Sequence, residues 1–215
     1  MEDVLDVYTR PYDERYPQVC FDETSKQLLA DIQEPLPMEP ERPQRDDYEY
    51  ERHGVRNLFL WYEPLKSRRH VEVTARRTRI DFAGQMKDLV DVHYPDAIKV
   101  VLVVDNPGTL WVSHSPASLY AAFEPAEAKR ISDRLEFHYT PKHGSWSGTR
   151  VRVMAEIELA ILSNQCLDQR IPDEATLTIE VAAWEQARNK TATRVDWRFT
   201  TADARIKLRH LYPSH

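Results

Sequence analysis

Glycine is scarce in this chain, five in 215 residues, and none falls in a GxGxxG or other phosphate-cradling spacing. That removes the common nucleotide-binding loops from consideration. Cysteine is scarcer still. Cys20 and Cys166 lie far apart, form no CxxC pair, and sit in the apolar runs VCF and QCL. Two buried, reduced thiols are expected rather than a zinc site or a disulfide framework. No stretch approaches the roughly 18 apolar residues needed to cross a bilayer. The N-terminal MEDVLDVYTR is acidic and lacks the basic-then-apolar order of a secretory signal. A cytoplasmic protein with no membrane partner is the expectation. No serine or cysteine stands in a nucleophile-elbow context, so covalent catalysis has no support.

What is present suits a soluble globular protein with one proper core: 41% hydrophobic and 30% charged residues in a length typical of one domain. The net charge of −6 argues weakly against a nucleic-acid partner, but it is unevenly spread. Residues 1–51 hold 15 acidic and 5 basic side chains; the rest of the chain is net positive by 4. Lys66, Arg68, Arg69, Arg76, Arg77 and Arg79 form a basic block broken only by Glu72. Such a block would neutralise a few phosphates, and equally would serve as the solvated face of a hairpin.

Along the chain, Gln18 to Phe21 reads as a short apolar strand ending on Asp22. Residues 35–47 carry four prolines and read as an extended loop. VRNLFLWY (Val55 to Tyr62) and HVEVT (His70 to Thr74) predict an antiparallel hairpin. Phe82, Met86, Leu89 and Val90 form a helical stripe. Ile98 to Val104, almost wholly apolar, predicts a central strand covered on both faces and ending on Asp105. Ser115-Pro116 starts a helix carrying Leu119, Tyr120 and Phe123. Leu135 to Tyr139 alternates as a strand. Helices are expected over Met154 to Leu167, from Asp173 with Leu177, Val181 and Trp184 on one side, and over Thr201 to Leu211. The order predicts a mixed α/β sheet with packed helices.

Two strands stopping on aspartates carry the chemistry. A carboxylate at the end of a buried strand is costly unless paired or cation-bound, and ligands of open α/β sheets bind outside such strand ends. If the strands are neighbours, Asp22 and Asp105 face each other, and all-oxygen ligation suits Mg²⁺ or Mn²⁺. Either aspartate alone would serve as well as a turn or helix cap. The helix from Met154 offers a third acid. Glu156 shares its face with Ala160, Ser163 and Leu167 and is the better ligand; Glu158 points the other way and is expected to meet solvent. His138 and His143 fit no common metal-ligand spacing. His143 is a candidate for positioning a phosphate, or a plain loop histidine.

CFDETSKQL around Asp22, VVLVVDN around Asp105, LEFHYTPKHGSW, MAEIEL around Glu156, and VDWRFTTADARIKL together resemble the DDE endonuclease domain of bacterial insertion-sequence transposases in the mariner-like superfamily. The resemblance covers the chain from about Met1 to Pro213. It implies a ribonuclease-H-like mixed sheet with helices on both faces, and two metal ions, Mg²⁺ or Mn²⁺, held by Asp22, Asp105 and Glu156 as the three family acids. One ion would activate water or a DNA 3′-hydroxyl and the other would stabilise the departing oxygen, across roughly 3.5–4 Å. The implied reaction is DNA strand cleavage and strand transfer, with element ends and target DNA as partners. A homodimer is implied because two ends must be brought together.

Three departures from the family pattern stand out. The chain begins just before the first catalytic strand, so a single catalytic domain without the family's helix-turn-helix reader is expected. Residues 107–113 (PGTLWVS) intervene between Asp105-Asn106 and His114, and residues 147–153 (SGTRVRV) replace a short Leu-Asn step before Met154. Both segments flank catalytic acids, where a misplacement near 1 Å costs around 100-fold. Two other readings therefore stay open. One is a catalytically inactive remnant that binds DNA or self-associates. The other is a ribonuclease-H-like nuclease acting on RNA–DNA hybrids or junctions.

Overall fold

The computed structural model describes residues 2–32, 49–105, 114–140, 154–191, 199–207 and 209. The proline-rich loop 35–47, the segments 107–113 and 147–153, and His143 lie outside the described residues. Helix α1 (Glu2–Tyr8) precedes strands β1 (Gln18–Asp31), β2 (Tyr50–Glu63) and β3 (Arg68–Thr74). Helix α2 (Arg79–Asp88) runs into a π-helical turn over Leu89–His93, followed by β4 (Val100–Val104), α3 (Pro116–Ala122), α4 (Pro125–Asp133) and β5 (Leu135–Tyr139). Then come α5 (Met154–Leu162) with its own π-helical turn (Ser163–Leu167), α6 (Glu174–Thr191) and α7 (Thr201–Lys207).

The five strands form one mixed sheet in the order β3-β2-β1-β4-β5. β1, β2 and β3 are antiparallel neighbours, and β4 and β5 continue from β1 in parallel. Alternation along the strands splits the core in two. Cys20, Leu58, Leu60, Tyr62, Val71, Val101 and Val103 face α1, α5 and α6. Val19, Phe21, Phe59, Trp61, Val100, Leu102 and Val104 face α2, α3 and α4. Helices thus cover both faces, in the ribonuclease-H-like arrangement expected. All five residues of β4 are buried, as a central parallel strand requires.

The predicted hairpin and the four-residue stripe are present, the stripe running through α2 into its π-helical turn, with Phe82, Met86, Leu89 and Val90 all buried. Leu177, Val181 and Trp184 form the buried side of α6. Two expectations need correction. β1 does not stop at Asp22 but runs on to Asp31, because β2 continues to pair with it after β4 has ended. β4 begins at Val100, leaving Ile98 half exposed. Helices α1 and α4 are additions to the sequence reading.

β3 is an edge strand, and its outer backbone is occupied by α6. Glu185 Oε2 accepts from the Val71 amide at 2.9 Å. Asn189 accepts from the Arg69 amide at 3.0 Å and donates to the Arg69 carbonyl at 2.9 Å. Glu185 and Asn189 are one helical turn apart, so a single face of α6 covers this stretch of edge.

Candidate active site

Parity and register bring the three predicted acids to one side of the sheet. Phe21 pairs with Val104 in the parallel ladder, and the next residue on each strand is an aspartate. Strands this close leave Asp22 and Asp105 about 5 Å apart along the ladder direction. Asp22 follows the alternation of Cys20, and Asp105 that of Val101 and Val103, so both aim toward the face carrying α5. The first turn of α5 is seated on the same face. The Met154 and Ala155 amides point at the Cys20 sulfur, whose thiol burial pushes up to about 12, and the Met154 amide also donates to the Tyr8 hydroxyl at 3.4 Å. Glu156, next in that turn, is exposed on the open side of the helix.

Burial raises the Asp22 carboxyl from 3.8 to about 7 against the Glu23 amide that donates to it at 2.9 Å. The negative charges of Glu23, Asp105 and Glu156 push it the same way. Three acids from β1, β4 and α5 therefore meet electrostatically. Among the described residues, no three His, Cys, Asp or Glu side chains already form a ligand cage. The donor set is nonetheless all oxygen, and a cation would relieve both the burial and the like-charge cost carried by Asp22.

Asp105 is held from behind. Thr140, buried just past β5, donates its hydroxyl to Asp105 Oδ1, and its amide donates to the Val104 carbonyl at 3.1 Å. On the opposite face of β1, Glu23 Oε2 lies 3.2 Å from His114 Nε2 without hydrogen-bond alignment. Burial raises the Glu23 carboxyl, with Arg77 opposing and Asp105 reinforcing the rise. Burial lowers His114 to about 4, so it is neutral near pH 7. His114 packs between Phe21 and Phe82, ring centroids 5.9 and 4.8 Å away. His114 lies within electrostatic reach of Asp105. Sequence reasoning missed Glu23 and Thr140 as site neighbours. Their signal is position alone, one residue beyond Asp22 and one beyond the β5 strand.

Residues 17–178 match the family described as DDE superfamily endonuclease. The chain belongs to this family. Asp22, Asp105 and Glu156 all fall inside the matched span. Three solved complexes of the Mos1 mariner transposase resemble it. The paired-end complex with Mn gives 13% identity and a TM-score of 0.47, covering 86% of this chain and 52% of that one. The strand-transfer complex gives 13% identity and 0.41, with 90% and 59% coverage. The paired-end complex with Mg gives 13% and 0.37, with 90% and 60%. The chain therefore spans a little over half the length of those transposase chains. No curated protein sequence matches it.

The basic block of this chain is divided by the fold. Arg76, Arg77 and Arg79 are exposed beyond β3, at the end of the hairpin nearer the acids, and Arg77 lies within electrostatic reach of Glu23 and His114. Lys66 and Arg68 sit at the opposite end, over the rings of Tyr12 and of Trp61 and Tyr94. Arg69 corrects the sequence reading. It is 2% exposed and ion-paired with Glu158 at 3.0 Å, so it does not offer its charge at the surface. Glu158 is a correction too. It is buried, not solvated, because it lies on the packed stripe of Met154, Ala155, Leu159 and Leu162.

Among the described residues, no helix is long and apolar enough to cross a membrane.

Proposed function

We propose that this chain is the catalytic domain of a transposase, cutting DNA at element ends and joining them to target DNA with two divalent ions, Mg²⁺ or Mn²⁺, held by Asp22, Asp105 and Glu156. The observation that carries the reading is the Asp22 carboxyl. It is half-buried, pushed up to about 7 chiefly by desolvation, and flanked by the charges of Asp105 and Glu156 from two other elements. When bound, the ions supply activation of the attacking hydroxyl and charge stabilisation at the departing oxygen.

The remaining work falls to the chain's own residues. Asp22, within β1, and Asp105, at the end of the adjacent β4, provide carboxylate oxygens, Thr140 fixes the orientation of Asp105, and Glu156 closes the set from α5. Arg76, Arg77 and Arg79 neutralise backbone phosphates beside that set. His143 is proposed to position a phosphate, and Lys66 and Arg68 to meet DNA farther from the cut. A homodimer would hold two ends together. Family membership and the position of His114 beside Glu23 support this reading over an inactive remnant.

The test is a nicking assay on duplex DNA carrying inverted-repeat ends, plain duplex and RNA–DNA hybrid, with Mn²⁺. Cleavage of DNA duplex, lost in Asp105→Asn and in Glu156→Gln, is expected. Preferential cutting of the hybrid would shift the reading to a hybrid nuclease. No cleavage together with no metal-induced change in melting temperature would leave the inactive remnant.

A further inference from the structure

Glu156 and Glu158 are two residues apart on α5, about 200° around the helix axis. One faces the acid cluster and the other faces the interior. Glu158 receives hydrogen bonds from Arg188 Nη2, at 3.0 Å to Oε1 and 3.3 Å to Oε2. Arg69 Nε lies 3.0 Å from Oε2, an ion pair without hydrogen-bond alignment and with almost no exposure on either side. Arg69 is itself immobilised. Its Nη2 donates to Ser67 Oγ at 3.1 Å, its Nη1 to Asn189 Oδ1 at 3.3 Å, and its guanidinium lies 5.1 Å from the Tyr62 ring.

From the structure we infer that Glu158, Arg69 and Arg188 act as a positioning strut that sets the rotation of α5 and so aims Glu156 at Asp22 and Asp105. The inference rests on the metal-site reading above. β3 is hydrogen-bonded through β2 to β1, the strand bearing Asp22, so Arg69 references the third acid to the sheet holding the other two. The ends of α5 and its π-helical turn are fixed along the axis: Cys20 and Tyr8 seat the first turn, while Lys26 Nζ donates to the Gln169 carbonyl at 2.8 Å beyond the last. Apolar packing of the Met154, Leu159 and Leu162 stripe sets rotation about the axis coarsely, and the Arg188 hydrogen bonds to Glu158 add the directional contact that fixes it finely. A side chain ending about 6 Å from the axis moves about 1 Å for each 10° of helix rotation. A displacement of that size costs a metal-dependent reaction around 100-fold.

Buried ion pairs exchanged for apolar residues of similar volume commonly leave a protein as stable as before or more so. That separates positioning from mere stability. The experiment compares the wild type with the triple variant Arg69→Met, Glu158→Leu, Arg188→Met. It measures melting temperature without metal, the half-saturating Mn²⁺ concentration for the melting shift, and the nicking rate at saturating Mn²⁺. Expected are an unchanged or higher melting temperature, a half-saturating Mn²⁺ raised at least tenfold, and nicking reduced about 100-fold.

A folded triple variant with wild-type metal response and rate overturns the strut. Should the triple variant not fold, Arg188→Met alone, at a partly exposed position, is expected to raise half-saturating Mn²⁺ about threefold to tenfold. No change there overturns the strut equally. A wild-type chain that shows no Mn²⁺ response sinks the metal-site reading first, and the strut with it.

Discussion

Replacing Asp22 by Asn removes a charge that folding holds in an unfavourable place. The carboxyl rises from 3.8 to about 7 on folding, so the folded state binds its proton more tightly than the unfolded chain. The group's contribution is harmless below the unfolded value, and stability is lost as pH rises through the folded value. The full shift corresponds to on the order of 4 kcal/mol. Because Asp22 retains partial access to water, about 2 kcal/mol is a fairer figure, or a melting shift of about 4–8 °C for a chain this size. Asp22→Asn is therefore expected to melt higher than wild type at pH 8.5 without metal, with the advantage falling below half that at pH 5. Adding Mn²⁺ should reverse the ranking. The wild type gains about 2.7 kcal/mol at a hundredfold excess over its dissociation constant, and the variant gains little. Thermal melts at two pH values, with and without Mn²⁺, read all of this. A variant that melts lower than wild type at pH 8.5, or by the same margin at both pH values, would refute the reasoning.

Thr140→Val keeps the side-chain volume but removes the hydroxyl that holds Asp105; the half-saturating Mn²⁺ in the melting assay should rise about tenfold with the metal-free melting temperature within a few degrees. Burial, aided by the neighbouring His70 and Arg68 charges, lowers His93 to about 4, so its neutral form contributes stability above the unfolded value near 6.5 that is lost as pH falls toward 4. For this half-buried ring the contribution is about 1–2 kcal/mol, and His93→Gln should flatten the acid limb of a stability-versus-pH curve by that amount. Changing Arg76, Arg77 and Arg79 together to Gln should reduce the log–log salt slope of DNA binding by about 2–3, whereas Lys66→Gln should change it by less than one, as filter-binding titrations would show.

Where residues carry periodicity, the sequence was readable. The hairpin, β4, and the buried sides of α2 and α6 follow from apolar spacing that local structure alone explains. The second half of β1 was not, because its side chains from Asp22 to Gln27 are only half buried and show no apolar alternation; β2, not its own pattern, keeps it extended. α1 and α4 are short, and neither presents more than a few apolar positions. Asp22 and Asp105 were legible as charges at the ends of apolar runs. Glu158 was misread because its burial depends on Arg69 and Arg188, partners distant in the chain. The available signal was its place four residues from both Met154 and Leu162, a charge inside an apolar stripe that burial would force to find a counterion.

Because Glu185 and Asn189 occupy the backbone of β3 from the side, that rim of the sheet cannot readily accept a strand from another molecule. Bare strand rims on two copies held close together are templates for strand pairing between them. With Arg69 and Val71 already bonded to α6, two copies of this chain do not pair through that stretch of β3.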